Sequence, residues 1–180
     1  KRAIPSYRFD KAKTIVSIMV GIAIDEGKIK SVDQKVSEFL PEFSDGMKAN
    51  ITIRHLLTMT AGFDWTESYA SAWAPITKAY YGNDLRKMVE QLSTKVKPGT
   101  LHEYQSINQV VLAMILEKAT GQQLNSYFKV KIGDPIGMAG LFVKLEENNV
   151  FFSTARSMAR FGLLVLNKGK WNDRVIVKND

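Results

Sequence analysis

Two residues at the start of an apolar stretch have the types and spacing to do chemistry. Asp10 and Lys13 are three positions apart, which places them on one face if the stretch is helical. A lysine one turn after a hydroxyl residue can lower the pKa of that hydroxyl or deprotonate it. Here the first residue is a carboxylate, so the same spacing favours an i,i+3 ion pair worth a few tenths of a kcal/mol. Asp10 also suits the N-cap of a helix, where it contributes about 0.5–2 kcal/mol.

The element that must position this pair is a helix from Asp10 to about Glu26, which Gly27 stops. Apolar residues occupy nearly every side of it, among them Ile15, Met19 and Ile24. Such a helix needs cover on every side. Without a sheet packed on it, we expect a second copy of the chain to cover residues 10–27, or the elements around it to be rearranged.

The rest of the chain is predicted to be mostly helical and to form a single domain over residues 1–180. In the last long helix, Ala155, Met158, Ala159, Leu163 and Leu166 are predicted to face inward. The tail Arg174–Val177 predicts a short strand or the start of another element. Periodicity, caps and glycine stops predict the further helices at about 52–62, 83–92, 108–120, 124–132 and 153–167.

Composition limits the classes of function. Lys and Arg number 25 against 18 Asp and Glu, which gives +7 and a pI near 9.5, but the basic residues are scattered and no nucleic-acid motif accompanies them. We therefore expect a solvated basic surface and no nucleic-acid partner. The chain has no cysteine and only two histidines, so no metal site and no cofactor are expected. The apolar run Ile15–Ile24 is too short to span a bilayer, and the compartment stays open.

Several collinear segments together resemble the β-lactamase-related serine hydrolases, a superfamily of class C β-lactamases, DD-peptidases, esterases and 6-aminohexanoate-oligomer hydrolases. The most diagnostic is Ile53–Gly62, with the letters IRHLLTMTAG. The others are Gly21–Ile29, Ser31–Val36, Pro98–Thr100, Tyr104–Asn108, Glu117–Gly121, Pro135–Met138 and Ser153–Gly162.

The resemblance implies a fold in which a helical lobe is inserted into a five-stranded antiparallel sheet. The fold class expected for this chain is mainly α: the helical lobe of the β-lactamase/transpeptidase-like fold, with most of the sheet absent. The family's third motif, Lys- or His-x-Gly, is not found after Asn108.

The resemblance also implies the site. Asp10 stands where the family has its nucleophilic serine, and Lys13 is the family's lysine. Tyr104 matches the tyrosine that relays a proton, provided that cations such as Lys13 lower its pKa from the ordinary value near 10. Ser106 and Asn108 share that second motif and would orient substrate or fix Lys13.

Two other sequence features are given no catalytic role. Ser126–Lys129 also fits S-x-x-K, but two fixed positions in four arise readily by chance. His55 is expected to be a buried, hydrogen-bonded residue rather than a base.

Three functions follow. The first is a β-lactamase-like domain without acyl-enzyme activity as written, serving as a binding or scaffold relative, an isolated or redesigned lobe, or a fragment completed by other segments. The second is a hydrolase of esters, amides or β-lactams, seen here with Asp10 as an inactivating substitution. The third is a basic nucleic-acid-binding module, whose binding would vanish at moderate salt if charge alone carried it.

Overall fold

The computed structural model of this chain describes residues 6–7, 9–67, 85–145 and 148–178. Helices dominate. The α-helices are α1 (Phe9–Asp25), α2 (Ile53–Leu57), α3 (Leu85–Glu90), α4 (Ile107–Thr120), α5 (Leu124–Phe128), α6 (Asp134–Ile136) and α7 (Ala155–Leu166). Short 3-10 helices cover Val36–Glu38, Pro41–Phe43 and Gly46–Asn50, and a π-helix, Lys129–Gly133, joins α5 to α6.

Helix α1 is buried inside the chain. It packs against α4 and against a strand of a small sheet, with Ile15, Val16, Met19 and Ala23 at most 1% exposed. The polypeptide leaves the helix at Gly27, whose φ of +68° favours glycine. The predicted helix and its stop are confirmed, but the predicted N-cap role of Asp10 is wrong, because the helix already includes Phe9 and Asp10 has helical backbone. The chain's own α4 and sheet supply the cover that the apolar surface requires.

The sheet content exceeds the sequence-based prediction. The strands are β1 (Ser6–Tyr7), β2 (Gly140–Leu145), β3 (Asn148–Ser153), β4 (Lys170–Trp171) and β5 (Arg174–Val175). A three-stranded antiparallel sheet has the order β1-β3-β2, with Phe142 opposite Phe151. The β2–β3 hairpin was not predicted, although two apolar and aromatic runs flank its polar tip. The expectation that the sheet is mostly absent therefore holds only in part.

An aromatic cluster attaches this hairpin to the helices. The rings of Phe128, Phe142 and Phe151 have centroids 4.8–5.8 Å apart in tilted or edge-to-face contacts. The Asn125 side chain completes the attachment, since it accepts from the Phe142 amide at 2.7 Å and donates to the Phe142 carbonyl at 2.6 Å. The hairpin is thereby held against α5 by both packing and hydrogen bonds.

The inward face predicted for the last helix is wrong except at Met158, which is half-buried and packs against the core. In α7 the buried residues are Ser157, Phe161 and Leu164, whereas Leu163 and Leu166 are 48% and 75% exposed. The phase follows from Ser157, whose hydroxyl accepts from the Ala139 amide at 3.0 Å. The buried face therefore includes a polar residue, and a prediction that places only apolar residues inside misses it.

The C-terminal segment folds back on α1. Strand β5 pairs with β4, and the Lys178 amide then donates to Asp25 Oδ2 at 2.9 Å. A Cβ on Gly21 would lie 3.4 Å from the Val177 side chain, so the segment packs closely on the helix. Within the described ranges, no helix has the length and apolarity needed to cross a membrane.

Candidate active site

Lys13 and Tyr104 meet although 91 positions separate them in the sequence. The Lys13 ammonium donates to the Tyr104 hydroxyl at 2.7 Å, and its Nζ lies 4.8 Å from the centre of the tyrosine ring. Lys13 is half-buried in the second turn of α1, and Tyr104 is 46% exposed just before α4. Asp10 lies in the first turn of α1, three residues before Lys13. The structure thus brings together the lysine and the tyrosine of the predicted site, one helical turn from Asp10.

A cleft of about 200 Å³ opens beside Lys13, between α1, α2 and α4. Its wall combines apolar side chains with polar groups near Lys13. The lining residues are Lys13, Thr14, Ser17, Leu56, Leu57, Met59, Gln109 and Leu112. Its volume is below the roughly 300–1,000 Å³ typical of ligand pockets, so it has room only for a small group beside the lysine.

Ser106 makes its described contacts with an acidic residue that the sequence did not single out. The Ser106 amide and hydroxyl donate to Glu67 Oε2 at 3.1 and 3.2 Å, and the Trp65 indole donates to the same oxygen at 2.8 Å. Glu67 thereby ties the segment after Tyr104 to the segment that precedes α3. No motif or period marks Glu67, because its role depends on a partner 39 positions away.

Asn108 is fully buried. Its Nδ2 donates to the Gln105 carbonyl at 2.9 Å and lies 3.4 Å from Met59 Sδ, while Oδ1 is buried without a hydrogen-bond partner among the described residues. These contacts face the protein interior. Direct contact between substrate and Ser106 or Asn108 stays a prediction.

Four aromatic residues are sequence candidates for either cleft lining or packing: Trp65, Trp73, Tyr80 and Tyr81. Trp65 is 3% exposed, so it belongs to the packed interior. Trp73, Tyr80 and Tyr81 lie outside the described residues. Of the second S-x-x-K match, Ser126 is exposed on α5 and Lys129 pairs with Asp134 at 2.7 Å.

His55 caps α2 from within. Its Nδ1 accepts from the Thr52 amide at 3.1 Å, so the ring proton resides on Nε2. Partial burial lowers the pKa of His55 below the ordinary 6.5, with Arg54 acting in the same direction and Asp33 opposing. The expected hydrogen-bonded, structural role is therefore confirmed, but the ring is half-buried rather than buried. The lowered pKa leaves the imidazole neutral near pH 7.

We expect this histidine to make stability depend on pH. Because its pKa is lowered on folding, the unfolded chain takes up the proton first, and the free energy of unfolding should fall as pH drops below about 6.5. His55→Asn, which keeps an acceptor for Thr52 and does not titrate, should lose that part of the slope between pH 7 and 5. Urea unfolding checks this, with exposed His102→Asn as the matched control. Equal slopes in wild type and His55→Asn would contradict it.

Comparisons with known proteins agree with this geometry. A family model described as "Beta-lactamase" matches residues 12–175. Esterase EstB of Burkholderia gladioli is 30% identical over 139 residues, which are 70% of this chain and 35% of the esterase. The 6-aminohexanoate-dimer hydrolase of Paenarthrobacter ureafaciens is 26% identical over 178 residues, which are 88% of this chain and 44% of the hydrolase. This chain therefore spans less than half the length of either relative.

A solved structure shows the same fold. The octameric penicillin-binding protein homologue from Pyrococcus abyssi superposes with a TM-score of 0.73 at 21% identity, over 98% of this chain and 47% of that one. The likeness covers the helical elements and the small sheets together. By its sequence match over residues 12–175, this chain belongs to the β-lactamase family.

Proposed function

We propose that this chain is a β-lactamase-fold domain that keeps the Lys13–Tyr104 pair but forms no acyl-enzyme, because position 10 holds a carboxylate. The observation that carries the proposal is the 2.7 Å hydrogen bond from Lys13 to Tyr104. Lys13 lies one turn after Asp10 in α1. The two groups that would handle protons are in contact. Asp10, one turn before Lys13, has no hydroxyl for the two groups to activate.

The chemistry of the carboxylate supports this proposal. A serine hydroxyl takes an acyl group as an ester, whereas attack by Asp10 would give a mixed anhydride, a reactive and short-lived species. A carboxylate in the first turn of a helix is stabilised by the helix dipole, and at i,i+3 it attracts the lysine ammonium. Both general effects suit a structural role for Asp10 better than a nucleophilic one.

The ligands proposed for the domain are small esters, amides or β-lactams. The relatives include an esterase, a 6-aminohexanoate-dimer hydrolase and a penicillin-binding protein. Support from this chain is the cleft beside Lys13, whose lining includes the apolar Leu56 and Leu112 and the polar Gln109. Binding would then occur without bond cleavage.

Mass spectrometry tests the absence of an acyl-enzyme. The chain is incubated with p-nitrophenyl acetate or a fluorescent penicillin, and its intact mass is recorded. The proposal predicts that no acyl adduct forms with the help of Lys13 and Tyr104. Wild type, Lys13→Ala and Tyr104→Phe should therefore give the same mass spectrum. An adduct on wild type that both variants lose would contradict it.

A second candidate function is a hydrolase whose nucleophile has been replaced. The intact contact between Lys13 and Tyr104 favours it, since the pair keeps the arrangement that would activate a serine at position 10. The two candidates differ in whether Asp10 is the only defect of the site.

Assembly into a homo-oligomer also stays a prediction. The octameric state of the Pyrococcus abyssi homologue supports it. The burial of Ile15, Val16 and Met19 within the chain removes the original reason for a partner on α1.

A further inference from the structure

The turn after α2 contains a backbone conformation that needs an explanation. Met59 has a φ of +56°, a left-handed conformation that is strained for a non-glycine residue. It is half-buried and lines the cleft that also holds Lys13. Strain of this kind persists only where surrounding contacts impose it, and such residues cluster at functional sites.

Two contacts connect this turn to the residues on either side of Tyr104. The Met59 carbonyl accepts from the Glu103 amide at 3.0 Å, which fixes the backbone just before the tyrosine. The Asn108 Nδ2 lies 3.4 Å from Met59 Sδ and donates to the Gln105 carbonyl at 2.9 Å, which fixes the backbone just after it. Tyr104 is therefore held from both sides by groups that converge on Met59.

The turn is itself anchored to α2. The Thr60 amide donates to the His55 carbonyl at 2.8 Å, and the Thr58 hydroxyl donates to the Arg54 carbonyl at 2.8 Å. The Thr60 carbonyl in turn accepts from the Gly99 amide at 2.8 Å. Because the turn is hydrogen-bonded at both ends, its own position is fixed, and its contacts can in turn fix the position of Tyr104.

We propose that Met59 and Asn108 are positioning residues that hold the Tyr104 hydroxyl against the Lys13 ammonium. The left-handed conformation of Met59 directs its carbonyl to Glu103, and the buried Asn108 carboxamide closes the second link. This role accounts for the strain at Met59 and for the complete burial of Asn108. It concerns the distance between two side chains, so it holds whether or not the chain ever forms an acyl-enzyme.

Two substitutions at Met59 separate the backbone conformation from the side chain. Met59→Gly adopts positive φ without strain and keeps the carbonyl, whereas β-branched Met59→Val disfavours it. The readout is the NMR cross-peak between the Lys13 ε-methylene and the Tyr104 ring in chain labelled at lysine and tyrosine, assigned by its loss in Tyr104→Phe. We expect Met59→Gly to keep the cross-peak and Met59→Val to lose it.

The result that would overturn the proposal is a folded Met59→Val with an undiminished cross-peak, or its loss in Met59→Gly. Far-ultraviolet circular dichroism establishes folding. If Met59→Val does not fold, Asn108→Leu tests the second link, since leucine has a similar volume and no amide donor. Its cross-peak should weaken, and an unchanged cross-peak would refute the role of Asn108.

Discussion

Asp10→Ser is expected to convert a chain that forms no acyl adduct into one that is acylated by activated esters. In serine hydrolases that act through a catalytic unit, loss of the nucleophile costs up to about 10⁶ in kcat. Lys13 and Tyr104 are already 2.7 Å apart, and position 10 lies one helical turn before Lys13, so a serine there would restore the spacing of the family's motif. We expect the rate of acylation by p-nitrophenyl acetate to rise by a factor on the order of 10². The gain should stay below about 10⁶ if other groups that stabilise the transition state are missing.

Controls separate this gain from a change in charge. Asp10→Asn removes the same negative charge without adding a hydroxyl, and it should stay at the wild-type rate. Adding Tyr104→Phe or Lys13→Ala to Asp10→Ser should abolish most of the gain, because the pair acts with the hydroxyl as a unit. Equal rates for Asp10→Ser and Asp10→Asn would show that position 10 is not the only defect of the site.

The second large effect is expected at Gly62, which follows the Met59 turn. Its φ is +75°, and a Cβ there would lie 2.5 Å from the Val96 carbonyl oxygen. Gly62→Ala must therefore adopt a left-handed conformation and also push back a backbone whose Lys95 amide donates to the Gly62 carbonyl at 2.9 Å. We expect the free energy of unfolding to fall by about 3 kcal/mol, the sum of backbone strain and overpacking.

Gly27 offers a matched control. Its φ of +68° is similar, but a Cβ there would have no atom within 4 Å. Gly27→Ala should cost only the left-handed conformation, about 1 kcal/mol. Urea unfolding of both variants measures the difference. Equal losses would mean that contact with Val96 relaxes without cost.

Local signals in the sequence were enough to predict α1 and the residues it positions. Asp10 at its start, Gly27 at its end and the apolar surface between them are read within a few residues. The contact between Lys13 and Tyr104 was predictable only through the resemblance to a family, because no periodic pattern connects positions 91 apart.

The features that escaped prediction depend on long-range contacts. Glu67 matters because Ser106 and Trp65 donate to it, and nothing near Glu67 in the sequence indicates that partnership. The buried face of α7 was missed because a hydroxyl, Ser157, sits on the inner side. Met59 was missed because methionine has no preference for positive φ, so surrounding contacts impose its conformation.

The most direct measurement is the intact mass, with peptide mapping, of wild type and Asp10→Ser after incubation with the same fluorescent penicillin. The proposed function predicts no label on the Phe9–Asp25 peptide of wild type and a label on that peptide in Asp10→Ser. A penicilloyl group mapped to Asp10 in wild type would contradict the claim that its carboxylate prevents acylation. Absence of label from both proteins would contradict the claim that Lys13 and Tyr104 still form a working pair.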